Sequence, residues 1–204
     1  MSQSTGLVVI DMLNRYEHED AERLVGSVRE VLPALQHLIA RAQEHDVPII
    51  YVNDNYGEWS AGPGELCDRA LQGSHRALVE PVLPPQAAAF VTKARHSIFY
   101  ETSLEYLLRS KGVKRLILTG QVTEQCVLYS ALDAYVRHYD VTVPQDAVAH
   151  IHPDLADAAL KMMKRNMRAQ IANADQVLAG DYPFSRFAVP NPQARRDSVR
   201  RRRT

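Results

Sequence analysis

Apolar residues in this chain fall into short unbroken runs separated by longer stretches in which they recur at helical spacing. Gly6 to Asp11 holds Leu7, Val8, Val9 and Ile10 in succession and closes on an acid, which predicts a strand buried on both faces. From Asp20 to His45 the apolar positions Leu24, Val28, Val31, Leu32, Leu35, Leu38, Ile39 and Ala42 follow a helical period. Asp20 is placed to cap this helix, and Pro33 predicts a kink or two helical pieces. Pro48 to Asn53, Ala88 to Lys93, Lys114 to Thr119 and Val141 to Pro144 repeat the strand signature. A sixth short strand is expected at Gln170 to Asn173 or at Gln176 to Leu178. Helices are expected at Ser103 to Ser110, at Thr123 to His138 with Leu128, Ala131, Leu132 and Tyr135 on one face, and at Asp154 to Met167. The stretch from Asp54 to Cys67 is rich in Gly, Pro and polar residues and reads as a loop.

Strands alternating with helices predict an α/β fold: one Rossmann-like, three-layer domain with a mostly parallel sheet of about six strands and helices on both faces. The domain is expected to span residues 1–187, with 188–204 as a flexible tail. Residues 193–204 carry six arginines and one aspartate. Overall, 24 Lys and Arg balance 24 Asp and Glu, so the rest of the chain is mildly acidic. The tail has no interleaved aromatics, which argues for a solvated terminus rather than a nucleic-acid-binding arm. No apolar run approaches the ~20 residues that span a bilayer. The N-terminus lacks a basic region followed by a long apolar stretch, and there are only two cysteines, Cys67 and Cys126. Both features point to a reducing, cytoplasmic setting and against a disulfide framework or a Cys-rich metal cluster.

In parallel α/β sheets ligands bind beyond the carboxyl ends of the strands. Those exits deliver Asp11, then Asn53, Asp54 and Asn55, then Lys93, then the segment Gly120 to Cys126, then Asp146. With Thr123 as N-cap, Cys126 falls in the first turn of a helix, where unpaired N–H groups and a nearby Lys93 ammonium would favour the thiolate. Asp11 is a candidate base for the thiol proton. Taken singly, each has a plainer role: a buried cysteine, a capping carboxylate, a surface lysine. Their arrival at the exits of three different strands is what suggests a site.

Three segments, Gly6 to Tyr16, Val91 to Leu108 and Arg115 to Val148, resemble the signature segments of the isochorismatase-like cysteine hydrolases, a family that includes nicotinamidases and N-carbamoylsarcosine amidohydrolases. The resemblance runs from about Gly6 to Val177. It implies a Cys-Lys-Asp triad with Cys126 as nucleophile beside Lys93 and Asp11. It also implies a cis peptide at Gln121–Val122 and an oxyanion hole formed by the Val122 and Cys126 N–H groups. Nicotinamidases of the family bind a metal through an Asp-x-His pair after the second strand. Here the segment is Asn53-Asp54-Asn55, with asparagine taken to stand where imidazole would be, so no metal and no cofactor are expected.

The implied activity is metal-independent hydrolysis of a C–N bond (amide, carbamoyl or ureide) in a small molecule through a thioester. Two alternatives stay open: a vinyl-ether hydrolase of the isochorismate type on the same fold, and a non-catalytic binding protein. Tyr56, Trp59, Phe99 and Tyr100 are candidate pocket residues. Cys67 is expected to be a spectator. The resemblance also implies a homo-oligomer, dimer or tetramer, with no membrane partner.

Overall fold

The computed structural model describes residues 4–178. Seven strands form one sheet: β1 (Ser4–Ile10), β2 (Ile49–Asp54), β3 (Ala89–Lys93), β4 (Val113–Gln121), β5 (Asp140–Pro144), β6 (Val148–Ala149) and β7 (Gln170–Ala172). Their order is β3-β2-β1-β4-β5-β7, with β6 paired to β4, and every pairing is parallel. The helices are α1 (Ala21–Glu44), α2 (Pro63–Gln72), α3 (Arg76–Val79), α4 (Leu104–Ser110), α5 (Leu128–Val136), α6 (Pro153–Asn166) and α7 (Ala174–Leu178).

Alternation along β1 explains why its sequence is apolar throughout. Leu7 and Val9 enter a core shared with α1, whereas Val8 and Ile10 enter a second core with residues of α4, α5 and α6. Both faces of the sheet are therefore covered, and the expected three-layer α/β architecture is found. Among the described residues, no helix is long and apolar enough to cross a membrane.

Several local expectations are corrected. α1 runs unbroken through Pro33, whose ring lies on the exposed face, where water can serve the carbonyl that the proline leaves without a donor. The loop after β2 holds α2 and α3, which the apolar pattern missed because they bury few side chains, Leu66 and Ala70 in α2 and Leu78 and Val79 in α3. Gln170–Ala172 is a strand, but Ala174–Leu178 is helical. On α5 the buried positions are Ser130, Ala131 and Ala134, while Leu132 and Tyr135 are exposed together with Tyr129 and Val136. The Arg-rich stretch and the expected boundary near residue 187 lie outside the described residues.

Candidate active site

Asp11 directly follows β1, adopts a left-handed backbone (φ 54°) and is buried. Two contacts hold that turn: the Asp11 N–H donates to the Val52 carbonyl at 3.0 Å, and Gln121 Nε2 donates to the Asp11 carbonyl at 2.6 Å. The side chain is equally engaged. Oδ1 accepts the Asp54 N–H at 2.8 Å, and Oδ2 lies 2.8 Å from Lys93 Nζ. Lys93, at the end of β3, is 2% exposed, so the pair is sealed from water. Asp54 Oδ2, on the strand between them, stands 3.7 Å from the same ammonium.

The third member arrives from β4. Gly120 has φ 101°, and a Cβ there would collide with the Ile10 backbone, so glycine is required where β4 pairs with the end of β1. The Gln121–Val122 peptide that follows is cis, as the resemblance implied. Thr123–Val127 then forms a single π turn before α5 begins, with Val122 rather than Thr123 at the N-cap position. The Thr123 hydroxyl instead donates to the Ala149 carbonyl at 2.8 Å. Cys126 sits in this π turn with Sγ 3.6 Å from Lys93 Nζ and 3.7 Å from His96 Nδ1. Asp11, Lys93 and Cys126, from three strand exits, thus meet at one point.

The state of that sulfur differs from the expectation of a standing thiolate. Burial pushes the Cys126 thiol up, the Asp11 carboxylate pushes it further, and Lys93 recovers only part of the shift, leaving it at about 12. Helix-start and ammonium effects lose to desolvation because Cys126 is 8% exposed and has a carboxylate beside it. The Asp11 carboxyl is itself above its ordinary range, since burial outweighs Lys93. Burial lowers Lys93, but Asp11, Cys126 and Asp54 together more than compensate, so it stays a cation. The resting site is a neutral thiol beside a lysine–aspartate ion pair.

Surrounding residues sort by contact. Asn53 orients the loop after β1: its Oδ1 accepts the Leu13 N–H at 2.9 Å and its Nδ2 donates to the Leu13 carbonyl at 3.1 Å. Tyr56 is half exposed as a residue, and desolvation together with the Asp11 and Asp54 charges raises its phenol well above the ordinary value. Tyr56 also helps line a cavity of about 240 Å³ formed with Leu13, Asn14, Arg15, His18 and Asn55 by the loops after β1 and β2. Trp59 is 81% exposed and Tyr100 55%, and neither lines that cavity. Phe99 is buried in the core, its ring 5.8 Å from Tyr139 and under the Arg137 guanidinium at 5.0 Å, which assigns it to packing. Asp146 is not part of the cluster; it accepts the Ala174 N–H at the start of α7. Cys67 is half-buried against the α1-side core, away from the triad.

The residues do not suit a metal. Counted from Asp54, the second place of an Asp-x-His pair is Tyr56, not Asn55, and Asp54 is already engaged by Lys93 and by the Tyr56 N–H at 2.7 Å. Among the described residues, no group of three His, Cys, Asp or Glu side chains is placed to hold an ion.

Sequence reasoning missed Glu124, whose buried carboxylate accepts the Ile151 and His152 N–H groups at 2.9 and 2.8 Å and ties the π turn to the start of α6. His96 is among the residues after Lys93 that could shape a pocket, but its approach to Cys126 Sγ was not foreseen. Proximity across a fold leaves no mark in spacing.

Similarity to known proteins identifies the family. A family model described as "Isochorismatase domain" matches residues 5–176. The chain belongs to the isochorismatase family. It is 33% identical over 172 residues to the isochorismatase family protein YaaI of Bacillus subtilis strain 168, covering 84% of this chain and 95% of that one. It is 29% identical to the ureidoacrylate amidohydrolase RutB of Enterobacter sp. strain 638, covering 77% and 80%. Among solved structures, N-carbamoylsarcosine amidase from Thermoplasma acidophilum superposes with a TM-score of 0.65 at 25% identity, covering 84% of this chain and 97% of that one.

Proposed function

We propose that this isochorismatase-family chain is a cysteine hydrolase that cleaves a C–N bond of a small amide, carbamoyl or ureide compound through a thioester on Cys126, without a metal. The observation that carries the reading is the contact of Cys126 Sγ with Lys93 Nζ while Lys93 is paired to Asp11. Relatives named for amide and ureide hydrolysis support it.

Because the thiol is neutral at rest, proton transfer and attack belong to one step. As Sγ adds to the carbonyl carbon, Asp11 takes the thiol proton; its raised affinity for a proton suits it to that role. Lys93 offsets the charge that migrates between sulfur and carboxylate. The Val122 and Cys126 N–H groups are assigned to the oxyanion, where one such donor is typically worth about 3 kcal/mol of barrier. When the C–N bond breaks, Asp11 returns the proton to the departing nitrogen. Water then hydrolyses the thioester, releasing the acid and the thiol.

A homo-oligomer belongs to the same reading, supported by the exposed Tyr129, Leu132 and Val136, which share one face of α5 at helical spacing. Leu132→Glu should lower the mass seen in sedimentation if that face is the contact.

The test is a panel of amides, ureides, carbamoyl compounds and isochorismate, run on wild type and on Cys126→Ala. Turnover of a C–N substrate that disappears in Cys126→Ala, with an acyl adduct on the wild-type cysteine by intact mass, supports the reading. Isochorismate cleavage that survives Cys126→Ala but not Asp11→Ala points to vinyl-ether hydrolysis. No turnover of any substrate points to a binding protein.

A further inference from the structure

Cys126 Sγ is approached by two nitrogens, and the thioester reading gives work to only one. Lys93 comes from the buried side and is committed to Asp11 and Asp54. His96 comes from the exposed side, with Nδ1 3.7 Å from the sulfur. Its position is built. The segment after β3 is fastened to α5 by Ser97, whose hydroxyl donates to Asp133, and by the Ile98 N–H, which donates to Ser130 Oγ at 3.1 Å. The imidazole itself lies against Tyr129, ring centroids 5.5 Å apart.

The geometry points to His96 as a catalytic residue of the second half-reaction, an inference that rests on the thioester reading. After acylation Asp11 is again a carboxylate, held by Lys93 and the Asp54 N–H as it was at rest, and it is 7% exposed, on the buried side of the sulfur with Lys93. The remaining step must form a water O–carbon bond, break the carbon–sulfur bond, remove one proton from water and supply one to sulfur. Solvent reaches the thioester from the exposed side, where His96 stands. An imidazole has one ring nitrogen that accepts a proton and one that donates, so a single histidine can both take and give a proton. His96 therefore accepts the water proton as the C–O bond forms and returns it to Sγ as the C–S bond breaks, so that no net charge is left in the site. Asp11 serves acylation; His96 serves deacylation.

The test uses p-nitrophenyl acetate, whose leaving group needs no proton and so separates the two halves. In His96→Ala the burst of nitrophenolate, one per chain, should keep its rate within about threefold, while the following steady phase falls about 100-fold. Intact mass should show acetyl accumulating on Cys126, and added imidazole should restore part of the steady rate. A steady phase within threefold of wild type overturns the inference. So does an equal loss in burst and steady phases, which would mark His96 as structural. A wild type no faster than Cys126→Ala would instead overturn the thioester reading, and this inference with it.

Discussion

Lys93 reaches over β2 to place its ammonium 2.8 Å from Asp11 on β1, two side chains whose strands are not neighbours. The reach is possible because β2 ends in Asn53 and Asp54, whose side chains turn to the loop after β1 and to the ammonium itself. Cys126 arrives beside an ion pair that is already satisfied. Its proton therefore stays on sulfur until a substrate draws it off, and the distribution of one positive and one negative charge over three groups governs the site's chemistry.

Asp11→Asn should separate ionisation from catalysis. The carboxylate holds the Cys126 thiol up, so removing its charge should raise the thiolate fraction, about tenfold for each unit of pKa recovered. Iodoacetamide at pH 8 should label Cys126 faster in the variant, while the turnover proposed above should be lost with the proposed base. Slower labelling would mean that Asp11 activates the thiol already in the free protein.

Stability should fall above pH 9 because of Cys126. The folded thiol titrates at about 12 against an ordinary 9, so the folded state binds the proton more tightly throughout that window. This contribution is complete below pH 9 and is lost as pH rises toward 12; by pH 10.5 it amounts to about 2 kcal/mol. Urea unfolding of wild type and Cys126→Ala at pH 7 and pH 10.5 checks it: the variant should lose less stability between the two. Equal losses would refute the assignment.

Glycines 120 and 112 both have positive φ, yet their substitutions should differ sharply. Gly120→Ala drives a Cβ into the Ile10 backbone between two central strands and should cost more than about 4 kcal/mol, enough to leave the protein insoluble. Gly112→Ala meets open space and should cost only about 1 kcal/mol, from its φ of 65°. Soluble yield and thermal melting distinguish them.

Glu124→Ala removes a carboxylate that accepts two backbone N–H groups at the start of α6, two residues from Cys126. A loss of about 2–3 kcal/mol is expected, since buried donors are left without an acceptor. Chemical denaturation measures it, and a loss below 0.5 kcal/mol would show that water replaces the carboxylate.

Much of this was legible in order along the chain. The apolar runs at β1, β2, β3, β4 and β5 mark a parallel sheet because strands buried on both faces need apolar side chains on both. The acid, lysine and cysteine at three strand exits mark a candidate site because a parallel sheet brings those exits to one edge. Legibility ended where burial was partial or contacts crossed the fold. α2 and α3 bury too few residues to set a period, and α5 turns Leu132 and Tyr135 outward against its pattern. Phe99 lies among aromatics in a loop but packs in the core under Arg137.

By itself, then, the sequence determined the parallel α/β architecture and placed Asp11, Lys93 and Cys126 at strand exits, since side-chain periodicity and strand termini are local properties. Tertiary structure alone decided that the cysteine holds its proton, that the turn carrying it is a π turn tied to α6 through Glu124, and that His96 stands at the sulfur. Each of these depends on burial or on distances between segments far apart in the chain, and a thiol's ionisation is set by the charges and solvent around it rather than by its neighbours in sequence.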